Sequence, residues 1–485
     1  MSKLNLELTD IRSAFPDDFS EGQIAAGQTL FLKALATDVH QFYGGKMVTV
    51  PKCGFYGFNW YNVYYTPGVS SISTAIRDDN NTSFDITNRG NYVAVVSDST
   101  RVLGDGDCTP SGGLGVMEGK AFLMKTLAGI DATALCINSY NEKGEHDADK
   151  IIEFTKMLTP SFGAVNLEDI SQPNCFKVLD DLQDCDIPVW HDDAQGTACV
   201  TLAGLLNALK IVDKPIGEIN MAFFGAGASN TTIARLIMLA GADPQRIVMC
   251  DSKGGLHKGR DNIKADKRFY RKWEICEATN PKKVDNIVDA MKGADVLIAL
   301  STPGPGVIKG EWVKGMADKA IVFACSNPVP EIYPYEAIEA GAYIVATGRG
   351  DFPNQVNNSL CFPGLLKGCL LTRAKSVTDK MAVTAARSIA ATAERKGITP
   401  TKISPLMNEL DVFPQEAADV AMQAIKDGVA RIKLTHEEVY KKTEADQKSS
   451  MAIYDSLQDS GFIEKVPMDM LEKALKKAID AIRSS

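Results

Sequence analysis

Residues 166–200 read NLEDISQPNCFKVLDDLQDCDIPVWHDDAQGTACV, and the reading of this stretch decides the fold. Two acidic pairs bracket it, Glu168 with Asp169 and Asp192 with Asp193, and each pair follows a short apolar run, FGAVNL or IPVW. Apolar runs of that length predict buried strands, and CFKVLDDLQDC between them has helical spacing. A strand, helix, strand unit sets its two strands parallel, so their carboxyl ends emerge side by side. Carboxylates distant in sequence could then share one cleft, where oxygen ligands suit a hard divalent cation. Acid pairs at strand ends also serve as solvated turns and helix caps, so the pairs alone leave both readings open.

Beyond the second pair, TACVTLAGLLNALKIV predicts a long apolar helix bridging two domains. INMAFFGAGASNTTIARLIMLAGA then predicts a strand, a tight turn and a helix, with the turn formed by Gly225, Ala226, Gly227, Ala228, Ser229 and Asn230. VMCD closes the next strand at Asp251. Strand, Gly-rich turn, helix and acidic strand end together predict a dinucleotide site, with backbone N–H groups facing the pyrophosphate. Asn230 stands where the third glycine of that fingerprint is expected. Asp251 suits a ribose 2′-hydroxyl, whereas Ser252 and Lys253 suit a 2′-phosphate; NAD and NADP both stay open, with NADP favoured. Three later apolar runs end in polar loops carrying Asn327 and the pair Asn357, Asn358, as ligand-facing loops of a doubly wound sheet do.

On the N-terminal side, IAAGQTLFLKALATDVHQFYGG predicts a helix ending on a Gly pair. KMVTVPKCGFYGFNWYNVYYTPGVSS is read as extended, with Tyr64 and Tyr65 just before a TPG turn. YVAVVSDSTRVLGDGD is read as two short strands, the second opened by Arg101. VMEGKAFLMKTLAGI predicts a helix carrying Lys120 and Lys125. A lysine near a helix start and in a cleft would have a lowered pKa, which suits a base.

The expected architecture is α/β with two ligand-binding domains: an α/β substrate and metal domain over 1–200 and a doubly wound, Rossmann-like dinucleotide domain over 201–370. Helices follow over 371–485. The net charge of -9 is spread without blocks, so nothing points to nucleic acid or a membrane surface. The apolar stretches look too short and too rich in Ala and Thr to span a bilayer. The 11 cysteines form no CxxC pairs, which argues for reduced thiols, and the N-terminus has no signal-like pattern. A cytoplasmic protein is expected.

The motifs YYTPGV, RVLGDGD, VMEGK, NLEDI, HDDAQGT, FFGAGAS, CDSKG, CSNPVPEI and GRGDFPNQVNN, in this order, resemble the malic enzyme family in its compact, bacterial-type branch. The resemblance covers about residues 40–430. It implies oxidative decarboxylation of L-malate to pyruvate and carbon dioxide, through oxaloacetate, with reduction of NAD(P)+. By motif it places the Mg2+ or Mn2+ ligands on Glu168, Asp169 and Asp193, the general base on Lys120 with Asp192 beside it, and the proton donor on Tyr65. It assigns malate binding to Arg101, and substrate or cofactor amides to Asn327, Asn357 and Asn358. A homodimer is expected by the same resemblance. Two competing readings are a metal-dependent oxaloacetate decarboxylase without redox chemistry and a non-catalytic dinucleotide sensor.

Overall fold

The computed structural model describes residues 4–102 and 104–484. The acid-bearing stretch folds as its apolar runs predict: Ala164–Leu167 and Val189–His191 are adjacent parallel strands, joined through the helix Asn174–Asp181. They belong to a four-stranded parallel sheet of β1 (Tyr92–Ser97), β2 (Asp131–Cys136), β3 (Ala164–Leu167) and β4 (Val189–His191), in the order β2-β1-β3-β4. Leu167 pairs with His191, so Glu168 and Asp192 leave the sheet at the same level.

The second sheet contains β5 (Met221–Phe224), β6 (Ile247–Asp251), β7 (Gly254–Gly255), β8 (Val296–Ala299), β9 (Ile321–Ala324) and β10 (Ile344–Thr347). Its order is β10-β9-β8-β5-β6-β7, parallel throughout except for the short β7. Chain order reverses between β5 and β8, the point at which a doubly wound sheet opens a crevice for ligand. The Gly225 turn leaves β5 there. Gly225 adopts φ 96°, and a Cβ on it would run into the Leu300 carbonyl beyond β8.

Thr197–Val212 packs against the helices Asp379–Arg395 and Ala228–Leu239. With the turn before it, Asp192–Val212 is long and apolar enough by composition to cross a membrane, contrary to the expectation that this stretch is too short. It is mostly buried inside the protein, as a core helix is.

The chain divides into two compact units, Pro51–Lys448 and a smaller one of Met1–Val50 with Ser449–Ser485. The first fifty residues therefore group with the tail, not with the rest of the expected 1–200 domain. In the smaller unit Ser20 and Gln23 form a reciprocal cap on Glu21–Tyr43, and that helix packs on Met468–Ser484 around Phe31, Leu35, Leu471 and Ala474. Neither amphipathic helix could bury its apolar stripe alone.

Two local readings are corrected. The aromatic segment is not extended: Tyr61–Tyr64 and Val69–Asp78 are helical, separated by Pro67 and Gly68. Its aromatic and β-branched content favours strands, but it has no partner strand here to pair with. Arg101 does not open a strand; only an isolated Val102–Gly106 bridge follows it, in a loop.

Candidate active site

Glu168, Asp169 and Asp193 converge at the carboxyl ends of β3 and β4, and their ligand oxygens lie within 4.8 Å of one another. Asp169 adopts φ 54°, which turns its backbone N–H onto Asp193 Oδ2 at 2.7 Å. Asn166 Nδ2 donates to Glu168 Oε2 at 2.9 Å. The cluster offers only oxygen donors, which fits Mg2+ or Mn2+ better than a softer metal. Burial pushes the Glu168 carboxyl well above its usual range; Lys120 opposes this, and Asp193, Asp192 and Asp169 add to it. A divalent cation held between these carboxylates would balance this negative charge.

The second acidic pair splits in direction because the backbone makes one wide π-type turn over Asp192–Gly196. Asp193 faces the cluster. Asp192 is fully buried and takes Lys120 Nζ on Oδ2 at 2.5 Å and Trp190 Nε1 on Oδ1 at 3.1 Å. Gly196 leaves room for this, since a Cβ there would collide with Asp192 Oδ1. Lys120 also lies 3.1 Å from Glu168 and above the Phe362 ring, 4.7 Å from its centroid. Burial pulls the Lys120 ammonium down, but Asp192, Glu168 and Asp193 outweigh it and raise the group above the usual lysine range. The expected lowered pKa is thus corrected for the protein as it stands. Lys120 sits inside the helix Leu114–Ala128, beyond the terminal turn where the dipole acts, and it faces three carboxylates.

These groups open onto a cleft of ≈ 790 Å³ between the two sheets. Arg101, Lys120, Glu168, Asp169 and Asp193 line it from one side; Gly227, Ala228, Ser229, Asn230, Asn327, Asn357 and Asn358 complete it. Nothing lies within 4 Å of where a Cβ on Gly227 would stand, so the backbone is bare at the start of the helix Ala228–Leu239. Asn230 serves the turn itself: it is buried, and its Nδ2 donates to the Phe224 and Gly225 carbonyls at 3.0 and 2.9 Å. Ser229 Oγ donates to the Asp193 carbonyl at 3.0 Å, tying the turn to the acid cluster.

Some expected residues stand elsewhere. Tyr65 is 71% exposed and does not line the cleft. It follows, in the chain, an exposed aromatic group in which the rings of Phe55, Phe58 and Tyr61 pack on one another. Asp251 ends β6, as expected, but its carboxylate is already engaged. Arg260 holds it through two nitrogens at 3.1 and 3.0 Å, Lys272 reaches Oδ2 at 2.6 Å, and the Lys253 N–H reaches Oδ1 at 2.8 Å. Burial opposes ionisation of Asp251, but Arg260 and Lys272 hold it below the usual carboxylate range. Ser252 and Lys253 remain exposed beside it.

Sequence reasoning missed Asn166 and Trp190, which orient Glu168 and Asp192, and the buried His191 beside them. His191 is buried, and neither ring nitrogen has a hydrogen-bond partner; each such nitrogen costs about 1–3 kcal/mol. The available signal was position, because each stands two residues before an acid of the cluster.

A carboxylate cluster at the strand ends of one parallel sheet, facing the Gly-rich turn of a doubly wound sheet, defines a dinucleotide-linked enzyme. The chain belongs to the malic enzyme family: residues 58–183 match the malic enzyme N-terminal domain and residues 194–427 the malic enzyme NAD-binding domain. It is 42% identical to the bifunctional malic/malolactic enzyme of Bacillus subtilis over 85% of this chain and 98% of that protein. It is 41% identical to the NAD-dependent malic enzyme of Geobacillus stearothermophilus, over 80% and 78%. Among solved structures, the Entamoeba histolytica malic enzyme superposes with a TM-score of 0.98 at 61% identity, covering 99% of this chain and 100% of that one. The Pyrococcus horikoshii malic enzyme gives 0.78 at 41%, over 89% and 96%. Oxidative decarboxylation of malate with a nicotinamide dinucleotide is the activity of this family.

Proposed function

We propose that this malic enzyme works with Mg2+ or Mn2+ held by Glu168, Asp169 and Asp193, and that Lys120 is its general base. The observation that carries this reading is the contact of Lys120 with both Asp192 and Glu168 at the wall of the shared cleft. A divalent cation held by these three carboxylates would supply Lewis acidity to the substrate and would offset the carboxylate field that holds the Lys120 proton. Lys120 would accept the C2 hydroxyl proton, and a nicotinamide dinucleotide held at the Gly225 turn would serve as the hydride acceptor. Asp192, fixed by Trp190, keeps the Lys120 amine aimed. Arg101 offers a two-pronged donor to a malate carboxylate, and Asn327, Asn357 and Asn358 supply amides along the opposite wall. Tyr65 delivers the proton to C3 once carbon dioxide has left.

Tyr65 reaches a cleft only if a second copy supplies it. The exposed aromatic group just before it in the chain is an apolar surface of the kind that pairs, which supports a homodimer in which each chain lends its Tyr65 to the partner. Each copy then has an incomplete site alone.

NADP is the favoured cofactor. Asp251 has little capacity left to accept ribose hydroxyls, because Arg260, Lys272 and the Lys253 N–H already occupy it. Lys253 and Ser252 beside it suit a 2′-phosphate. A division of labour between 1–200 for substrate and metal and 201–370 for dinucleotide accords with the two sheets, with 371–485 as helical support. The eleven free thiols accord with a cytoplasmic location.

The decisive experiment follows reduced-nicotinamide absorbance with L-malate, Mn2+ and either NAD+ or NADP+, with and without chelator. Turnover that the chelator stops supports the reading. No absorbance change with either dinucleotide would sink it, and oxaloacetate decarboxylation alone would favour the lyase.

A further inference from the structure

Two acids of this site, Glu168 and Asp192, share a device. Asn166, two residues before Glu168, donates to it at 2.9 Å; Trp190, two residues before Asp192, donates to it at 3.1 Å. Residues two apart on a strand point to the same face, so a donor placed there reaches the acid that follows the strand. His191 stands two residues before Asp193, on the last position of β4. Its Nδ1 lies 3.9 Å from Asp193 Oδ2, roughly 1 Å beyond hydrogen-bond range, and neither of its ring nitrogens has a partner. The ring is held in place from its own backbone, whose N–H donates to Gln195 Oε1 at 2.9 Å.

We infer that His191 is a positioning residue for Asp193, donating from Nδ1 to that carboxylate and fixing the orientation in which it faces a divalent cation. The inference rests on the metal reading above. It completes the pattern: Asn166 orients Glu168, Trp190 orients Asp192, and His191 orients Asp193. Asp193 Oδ2 already accepts the Asp169 N–H at 2.7 Å, and because its side chain is about one-third exposed while the others are buried, a second donor fixes it further. Outer partners of ligating carboxylates command on the order of 10–100-fold in metal affinity.

The test is Mn2+ affinity, read from the electron paramagnetic resonance signal of free Mn2+ during titration of the whole enzyme, with no turnover involved. His191→Asn puts an amide nitrogen near the position of Nδ1, and His191→Gln puts one near Nε2. Expected is near wild-type Mn2+ binding by His191→Asn and weakening by about 10-fold or more by His191→Gln. NADPH fluorescence binding should stay unchanged in both. Equal affinity of the two variants, whether strong or weak, overturns the inference, as does weakening that tracks lost NADPH binding. If one variant fails to fold, His191→Gln is compared in an Asp193→Asn background: a 10-fold loss that persists there also overturns it. Wild-type enzyme that binds no Mn2+ would refute the metal reading itself, and so the two failures are distinct.

Discussion

Lys120 Nζ lies 2.5 Å from one oxygen of Asp192, whose other oxygen receives the indole N–H of Trp190 at 3.1 Å. Lys120 is thus aimed by an acid that is itself aimed. Lys120→Ala should lower kcat on the order of 10²–10⁴-fold, the range that one positioned acid-base group supplies, with NADPH binding retained. Asp192→Asn should lower kcat with little change in Mn2+ affinity. If Asp192→Asn and Asp193→Asn lose Mn2+ equally, the separation of roles is wrong.

Asp193→Ala removes one of the three proposed oxygen ligands and the acceptor of the Asp169 N–H. Mn2+ affinity should fall beyond the roughly 10–100-fold that an outer partner commands. Isothermal titration with Mn2+ reads this directly, and an unchanged affinity would remove Asp193 from the ligand set.

For cofactor choice, wild-type enzyme should show a higher kcat/KM with NADP+ than with NAD+. Lys253→Gln should lower the NADP+ value by about tenfold, as loss of one charged hydrogen bond does, and leave the NAD+ value within error. Equal losses with both dinucleotides would mean that Lys253 does not see the 2′-phosphate.

If Tyr65 acts across a dimer, Tyr65→Phe and Lys120→Ala enzymes, each inactive alone, should complement. After subunit exchange of an equal mixture, roughly a quarter of wild-type turnover should return, because half of the dimers are mixed and each of these holds one whole site. No recovery, with exchange verified by differential tagging, would place Tyr65 in its own chain's site or outside the reaction.

Glu416 is fully buried on the helix Val412–Lys426, and burial, then the neighbouring Cys361 thiol, push its carboxyl well above the usual range. Its contribution to stability is whole below the ordinary carboxyl range. Above it the unfolded chain releases this proton while the folded chain keeps it, so stability falls by about 1.4 kcal/mol per pH unit until the folded group titrates. Glu416→Gln should remove that slope. Urea unfolding across pH 5–8 checks it, and parallel profiles for both proteins would refute it.

Both sheets and both ends of the carboxylate cluster were legible because their signals are local: a buried parallel strand reads as an unbroken apolar run, and the polar residue after it marks the edge. The Gly225 turn was legible for the same reason. The helical fold of Tyr61–Tyr64 was not, since aromatic residues favour strands wherever a neighbouring strand exists and no period in the sequence tells that none does. The union of Glu21–Tyr43 with Met468–Ser484 was hidden because each helix shows its own stripe but not which distant stripe covers it. Asp251 shows a third limit. Its position at the end of β6 was readable, but its capture by Arg260 and Lys272 depends on loops that carry no periodic signal.

The hydroxyl of Ser229 holds the backbone carbonyl of Asp193, so the turn proposed to receive the dinucleotide and the residue proposed to receive the cation share a hinge pin. Swapping this turn for that of another dehydrogenase to change its nucleotide would therefore not be a modular graft. It would also loosen the peptide on which a metal-facing carboxylate is mounted. Because coupling between two binding events is reciprocal, any factor by which a bound cation would raise nucleotide affinity through this contact is the factor by which a bound nucleotide would raise cation affinity.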